Sequence, residues 1–305
     1  MTRVSLTLKH VPALRVDLRG VTPSAVNGLA LAQIERLTVT HGMQTLALAE
    51  FFTVACDGTP AADGELMFDG DLSRFDRIGW QLAGGRIVVA GPAGDYVGAC
   101  MTGGEVQVQG SAGLLAACEM AGGLLSIAGD VGDHAASTLP GSMDGMRGGT
   151  LIVRGRAGTR FGDRMRRGTA LVYGDVGDFA ASRLVAGTIA VGGRAGAHVG
   201  YGMRRGSVVF AGGAPSLAPF LASFLASSLA SSLASSLASA VAPTVAPTFV
   251  PALADAAVAW QLIARDLTRL AGTDSGPFAG LAARRTVRYL GDLSADGRGE
   301  LFIAL

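Results

Sequence analysis

Lysine is almost missing from this chain of 305 residues: Lys9 stands alone against 24 arginines. Cysteine is scarce too. Cys56, Cys100 and Cys118 show no CxxC spacing, which argues against a disulfide framework or a sequence-local zinc site and points to a reducing compartment. Proline is low, at 11, and glycine follows no G-x-y triplet, so collagen is excluded. Aromatics make up 6%, which leaves Val, Ile, Leu and Ala to build the core. Charged residues are also few, at 16%, and the net charge of +1 offers no global field for nucleic acid or a membrane. With 49% apolar residues the chain is too hydrophobic for disorder. The first twenty residues lack an apolar signal region, and the expected location is cytoplasmic.

What the chain has in excess is glycine, 45 residues of it. Much of it belongs to a phrase repeated from GGRIVVAGPAG at Gly84 to RGSVVFAGG at Arg205. The marker glycines are 85, 104, 123, 149, 168, 187 and 206, in steps of 19, 19, 26, 19, 19 and 19; the long step carries seven extra residues near 139–145. Gly64 opens a looser earlier copy. Each unit holds four or five β-rich residues with period-two alternation, bounded by glycines. Such a unit is too short for a βαβ crossover or a propeller blade. It suits one coil of a right-handed parallel β-helix, a solenoid of about 19 residues per coil in an all-β-dominated chain.

That register makes expectations column by column. Pro92, Ser111, Asp130, Arg156, Asp175 and Arg194 share a turn position, and the last four alternate in sign. Gly98, Ala117, Ala136, Gly162, Ala181 and Gly200 mark a crowded corner. Met101, Met120, Met146, Met165, Leu184 and Met203 form an interior stripe. Around the repeats, residues 1–62 read as a small α/β entry segment with alternating stretches near 3–18 and 36–54 and a helix started by Pro23-Ser24. Residues 63–211 are the β-helix, and 212–250 are a low-complexity insertion of LASS tetrads that reads as an expanded loop rather than a membrane span. Residues 251–305 supply an amphipathic helix over 252–270, expected to cap the open end of the stack, and closing strands.

No catalytic or metal site emerges from the residues. His134 and His198 share a column but stand three coils apart, about 14 Å, too far to share an ion. Cys100 and Cys118, on consecutive coils, read as small buried thiols. The glycine-rich turns lack a Walker lysine and Rossmann spacing, and Asp130/Asp133 and Asp175/Asp178 are repeat positions. Charge is segregated: residues 64–133 carry nine acids and three arginines, whereas 147–205 carry eleven arginines and three aspartates. Arg147, Arg166, Arg167, Arg204 and Arg205 follow the methionine column onto one corner, as a row for anions or a partner surface.

Three stretches carry a family resemblance: the entry TPSAVNGLALAQIERLTVTHGMQTLALAEFFTVACDG (22–58), the coil series (84–206) and the ending RYLGDLSADGRGELFI (288–303). Together they resemble the C subunits of formylmethanofuran dehydrogenase and of the bacterial formyltransferase/hydrolase complex; the coil motif alone is similar to the C-terminal domain of the glutamate synthase large subunit. The resemblance implies a non-catalytic scaffold in a cytoplasmic one-carbon complex. Its partners would be an amidohydrolase-like subunit, a formyltransferase subunit and a B-like subunit, with no nucleic acid and no membrane. Methanofuran or an analogue would act at the level of the complex, with zinc or molybdenum/tungsten on partner subunits and no cofactor held by this chain alone. A glutamate-synthase-like domain and a free-standing anion-binding protein are the alternatives.

Overall fold

The computed structural model describes residues 2–60, 64–212, 248–252 and 256–305; of the insertion read over 212–250, residues 213–247 with the LASS tetrads lie outside the described residues, and Val250 belongs to a strand. The chain is mostly β. Five strands lead in: β1 (Thr2–Leu8), β2 (Val16–Asp17), β3 (Thr38–His41), β4 (Gln44–Ala47) and β5 (Phe52–Pro60). Strands β6 (Glu65–Asp69), β7 (Phe75–Asp76), β8 (Arg86–Val89), β9 (Glu105–Val108) and β10 (Leu124–Ile127) follow. Next come β11 (Arg147–Val153), β12 (Arg167–Val172), β13 (Thr188–Val191) and β14 (Ser207–Phe210). The chain ends with β15 (Val250–Pro251), β16 (Thr286–Gly291) and β17 (Gly299–Ala304).

One sheet of 13 strands runs in the order β15-β16-β17-β14-β13-β12-β11-β10-β9-β8-β6-β1-β5. From β1 to β17 every neighbour is parallel, and partners such as Val106 and Leu125, or Ala170 and Ile189, are 19 residues apart. Across the long step the offset is 26, with Leu125 opposite Leu151, and the strand register resumes unchanged beyond it. A second line of parallel bridges joins Leu72, Ala93, Ala112, Val131, Ala157, Val176 and Ala195 in the same sequence of repeats. Both ends of the parallel ladder finish with antiparallel strands: β5 beside β1 at one end, β16 and β15 beyond β17 at the other. A small sheet of β4-β3-β2-β7 ties the entry segment to the first repeat.

Burial follows the alternation. Leu66, Ile87, Val106, Leu125, Leu151, Ile189 and Val208 are fully out of solvent, as is the stripe from Met101 to Met203. The crowded column has two causes rather than one. Gly98, Ala117, Ala136, Gly162, Ala181 and Gly200 all have φ between 56° and 73°, the left-handed region that favours glycine over any residue with a Cβ. A Cβ at Gly98 would also sit 2.9 Å from Leu125 Cδ2.

Two expectations are corrected. The single helix after Pro23 is two short helices, α1 (Pro23–Val26) and α2 (Leu31–Glu35), because Asn27 is extended and Gly28 has φ +78°. A third short helix, α3 (Leu48–Phe51), precedes β5. The long helix α4 (Ala257–Ala271) does not cap the end of the stack. Its Trp260, Ala264, Leu267 and Ala271 pack on Leu171, Ala190, Val209 and Phe302, so it lies along the outer face of β12, β13, β14 and β17. That seat explains a change in strand pattern: β9 and β10 alternate half-buried and buried residues, whereas β13 and β14 bury three in succession. The last residues of the helix are tied down by Arg154, whose guanidinium lies 4.3 Å from the Tyr173 ring centroid and donates to Ala271 O. Among the described residues no helix is long and apolar enough to cross a membrane.

Candidate functional site

The aspartates that recur in alternate repeats are structural acceptors. Asp130 Oδ1 accepts the Arg156 N–H at 2.7 Å, and Asp175 Oδ1 accepts the Arg194 N–H at 2.7 Å. Asp133 and Asp178 do the same for Thr159 and Ala197, each at 2.7 Å. The aspartates in the turn column therefore cap the next repeat's backbone, a charge-assisted bond stronger than a neutral one.

The five candidate arginines do come together. Arg147, Arg166, Arg167, Arg204 and Arg205 line one groove of about 620 Å³ with Val185 and Ala186. All five are exposed, and Arg147 and Arg167 are direct partners across the β11–β12 ladder. Their placement has a local cause. Each follows an interior Met that anchors the corner, and Arg167 and Arg205 occupy a column held by Gly103, Gly122 and Gly148 in earlier repeats. Two of the five are paired, Arg147 with Glu119 at 3.4 Å and Arg166 with Asp144 at 2.6 Å. Among the described residues Arg167, Arg204 and Arg205 have no ion-pair partner. Exposed pairs of this kind contribute little to stability, typically under about 1 kcal/mol.

The other residues singled out by sequence stay apart. His198 stacks on Phe179 at 4.9 Å, and the Arg160 guanidinium lies 5.0 Å from the same ring centroid. His134 instead lines a cavity together with Arg160. Among the described residues no three His, Cys, Asp or Glu side chains gather as a metal site. Cys100 donates its backbone N–H to Cys118 O at 2.8 Å, and both thiols are free. Burial pushes the Cys118 thiol far up, and it pushes Cys100 up as well, with Glu119 adding to the effect. Both are poor nucleophiles in this setting.

Sequence reasoning missed one buried cluster. Asp163 is 2% exposed, and its Oδ1 accepts Ser182 Oγ at 2.7 Å and Arg183 Nε at 2.9 Å, while Oδ2 takes Arg183 Nη2. The hint in the sequence is one acid in a column otherwise holding Ala99, Cys118, Ser137, Ser182 and Tyr201.

A parallel ladder of short repeated strands, with five arginines along one groove, defines the class: a repeat-built β protein. No family profile matches the chain. A chain of the formyltransferase/hydrolase complex (FhcABCD) from Methylorubrum extorquens, solved in complex with methylofuran, is similar over 99% of both chains at 34% identity, with a TM-score of 0.80. The C subunit of the tungsten-containing formylmethanofuran dehydrogenase 2 of Methanothermobacter thermautotrophicus is 35% identical over 102 residues, which are 32% of this chain and 37% of that one. The C subunit of the Fhc complex of Methylorubrum extorquens is 36% identical over 80 residues, covering 26% of this chain and 29% of that one. The chain thus spans about a third of the length of these curated relatives. It belongs to the C-subunit family of formylmethanofuran dehydrogenases and formyltransferase/hydrolase complexes.

Proposed function

We propose that this chain is a non-catalytic scaffold of a one-carbon complex that handles a formylated methanofuran-type carrier, of the formyltransferase/hydrolase kind. The observation that carries this reading is the similarity over 99% of both chains to a chain of FhcABCD. The glutamate-synthase-like and free-standing alternatives have no such support. The scaffold role fits a right-handed parallel β-helix, whose stacked corners hold partner surfaces at fixed distances. Two observations support coiling of this kind, the 19-residue offsets in the sheet and a second line of parallel bridges from Leu72 to Ala195, and the right hand follows the general rule for parallel crossovers. Residues 1–62, 63–211, 212–250 and 251–305 divide into entry, β-helix, insertion and closing segments in this scheme. The partners are an amidohydrolase-like subunit, a formyltransferase subunit and a B-like subunit, all cytoplasmic. Zinc or molybdenum/tungsten sits on those partners. Methanofuran or its analogue is shared at the level of the complex, and the unpaired Arg167, Arg204 and Arg205 suit the negative charge of an acidic tail or a partner.

Affinity capture from the native host, with identification of the bound chains and a metal assay, tests the proposal. Co-purification with formyltransferase and amidohydrolase-like subunits is expected. Recovery of the chain alone would overturn the scaffold reading.

A further inference from the structure

We propose that the seven-residue insertion builds a second anion site, distinct from the arginine row, which takes a small oxyanion between Arg160 and Arg164. The insertion folds back over the repeats as one wall of a cavity of about 380 Å³ whose other walls include His134, Arg160, Asp163, Arg164 and Arg183. None of these residues lines the groove of the arginine row.

Charge accounting points to the ligand. Three guanidiniums and an imidazole face the cavity with one carboxylate, Asp163, and that carboxylate is already saturated by Ser182 and Arg183. Arg160 has no ion pair among the described residues; its guanidinium lies 5.0 Å from the Phe179 ring centroid, a contact that leaves its N–H fork unsatisfied. Arg164 has Met143 Sδ as its side-chain partner, and a thioether is a weak acceptor for so strong a donor. Both forks therefore have unused donors at one cavity, and what satisfies a guanidinium fork is a pair of oxygens on one atom, as in phosphate or carboxylate.

The site is also preformed, which lowers the cost of binding. The insertion is fastened at its start by Leu139 N–H to Glu119 Oε1 at 3.4 Å. At its end Asp144 pairs with Arg166 at 2.6 Å, and Gly145 N–H donates to Arg164 O at 3.0 Å. Ser142 N–H closes a turn to Leu139 O at 3.0 Å.

Calorimetric titration of the full chain with inorganic phosphate and, separately, with acetate tests the site and tells the two oxyanions apart. Saturable binding of at least one is expected, weakened about tenfold or more in Arg160→Gln/Arg164→Gln and unchanged in Arg204→Ser/Arg205→Ser. Because neither Arg160 nor Arg164 is ion-paired among the described residues, the double variant should melt like the parent. Arg164→Lys, which keeps the charge but loses the fork, should bind several-fold more weakly than the parent and keep its fold. Absence of saturable binding, binding unchanged in both pocket variants, or equal loss in the Arg204/Arg205 control would each overturn the proposal. Since these readouts are independent of any partner chain, their failure would leave the scaffold reading standing.

Discussion

Asp292 shows how a single carboxylate is held at a crossing point. It is 1% exposed, and its side chain accepts from Thr248 Oγ1, Gly202 N–H at 2.9 Å, Ser294 N–H at 2.9 Å and Ser294 Oγ at 2.7 Å. Burial alone would raise its pKa, but these donors outweigh it and hold the carboxyl below the ordinary carboxylate range. A depressed folded-state pKa means the unfolded chain binds the proton first. The stabilisation is therefore complete above about pH 4 and is lost as pH falls through the lower folded value. Asp292→Asn should cost about 2 kcal/mol at neutral pH, because an amide N–H would face backbone donors. It should also flatten the loss of stability below pH 4. Denaturant melts of both proteins from pH 7 to pH 2 measure this, and parallel acid limbs would show that Asp292 is not responsible.

Among the elements, the repeat corner tells apart glycines that look alike in sequence. At Gly123 φ is +85°, and an added Cβ would sit 2.6 Å from Gly104 O and 2.7 Å from Gly103 O, both backbone atoms of the preceding repeat. At Gly98 φ is +63°, and the atoms met are side-chain ends, Leu125 Cδ2 and Met101 Sδ. Gly123→Ala should therefore cost about 3 kcal/mol or more, combining left-handed strain of 1–2 kcal/mol with a backbone clash that cannot relax. Gly98→Ala should cost less, about 1–2 kcal/mol, because the same left-handed strain is joined only by side-chain ends that can shift, and Ala117 already occupies the equivalent site at φ 56°. Thermal unfolding of the two variants checks the difference, and similar midpoints would refute it.

The period itself, the Met stripe and the marker glycines were legible in sequence because each answers a steric demand that recurs unchanged at every repeat. The seat of α4 was not, although Leu171, Ala190 and Val209 stand where earlier strands carry Gln107 and Ser126. Those apolar residues report a covered outer face, but which segment covers it depends on contacts far along the chain. The arginine row was legible from its spacing. Its acidic partners Glu119 and Asp144 were not, because Asp144 belongs to the insertion that breaks the period.

For the whole molecule, the segregation of charge matters more than its near-zero sum. Nine acids and three arginines fall within 64–133, and eleven arginines and three aspartates within 147–205, so the parallel ladder lays an acidic stretch beside a basic one. If the proposed row holds an acidic tail, Arg166, Arg167, Arg204 and Arg205 replaced by Ser should weaken binding of a methanofuran-type carrier to the complex about tenfold or more. Assembly should be unaffected. Fluorescence or calorimetric titration of the assembled complex, beside size-exclusion chromatography, separates the outcomes. Unchanged affinity, or a complex that falls apart, would assign the row to an interface with a partner instead.

The in-register parallel pairing has a consequence for how such a molecule can change size. Neighbouring strands in a sheet lie about 4.8 Å apart whatever their sequence. Adding or deleting one complete 19-residue unit would lengthen or shorten the ladder by that one increment and leave every remaining pairing intact. An insertion at a corner, like the seven residues at 139–145, changes no length at all. The separation between its two ends is thus quantised, as on a ruler with fixed graduations. Evolution can set it in whole steps, while the corners remain free to acquire new chemistry.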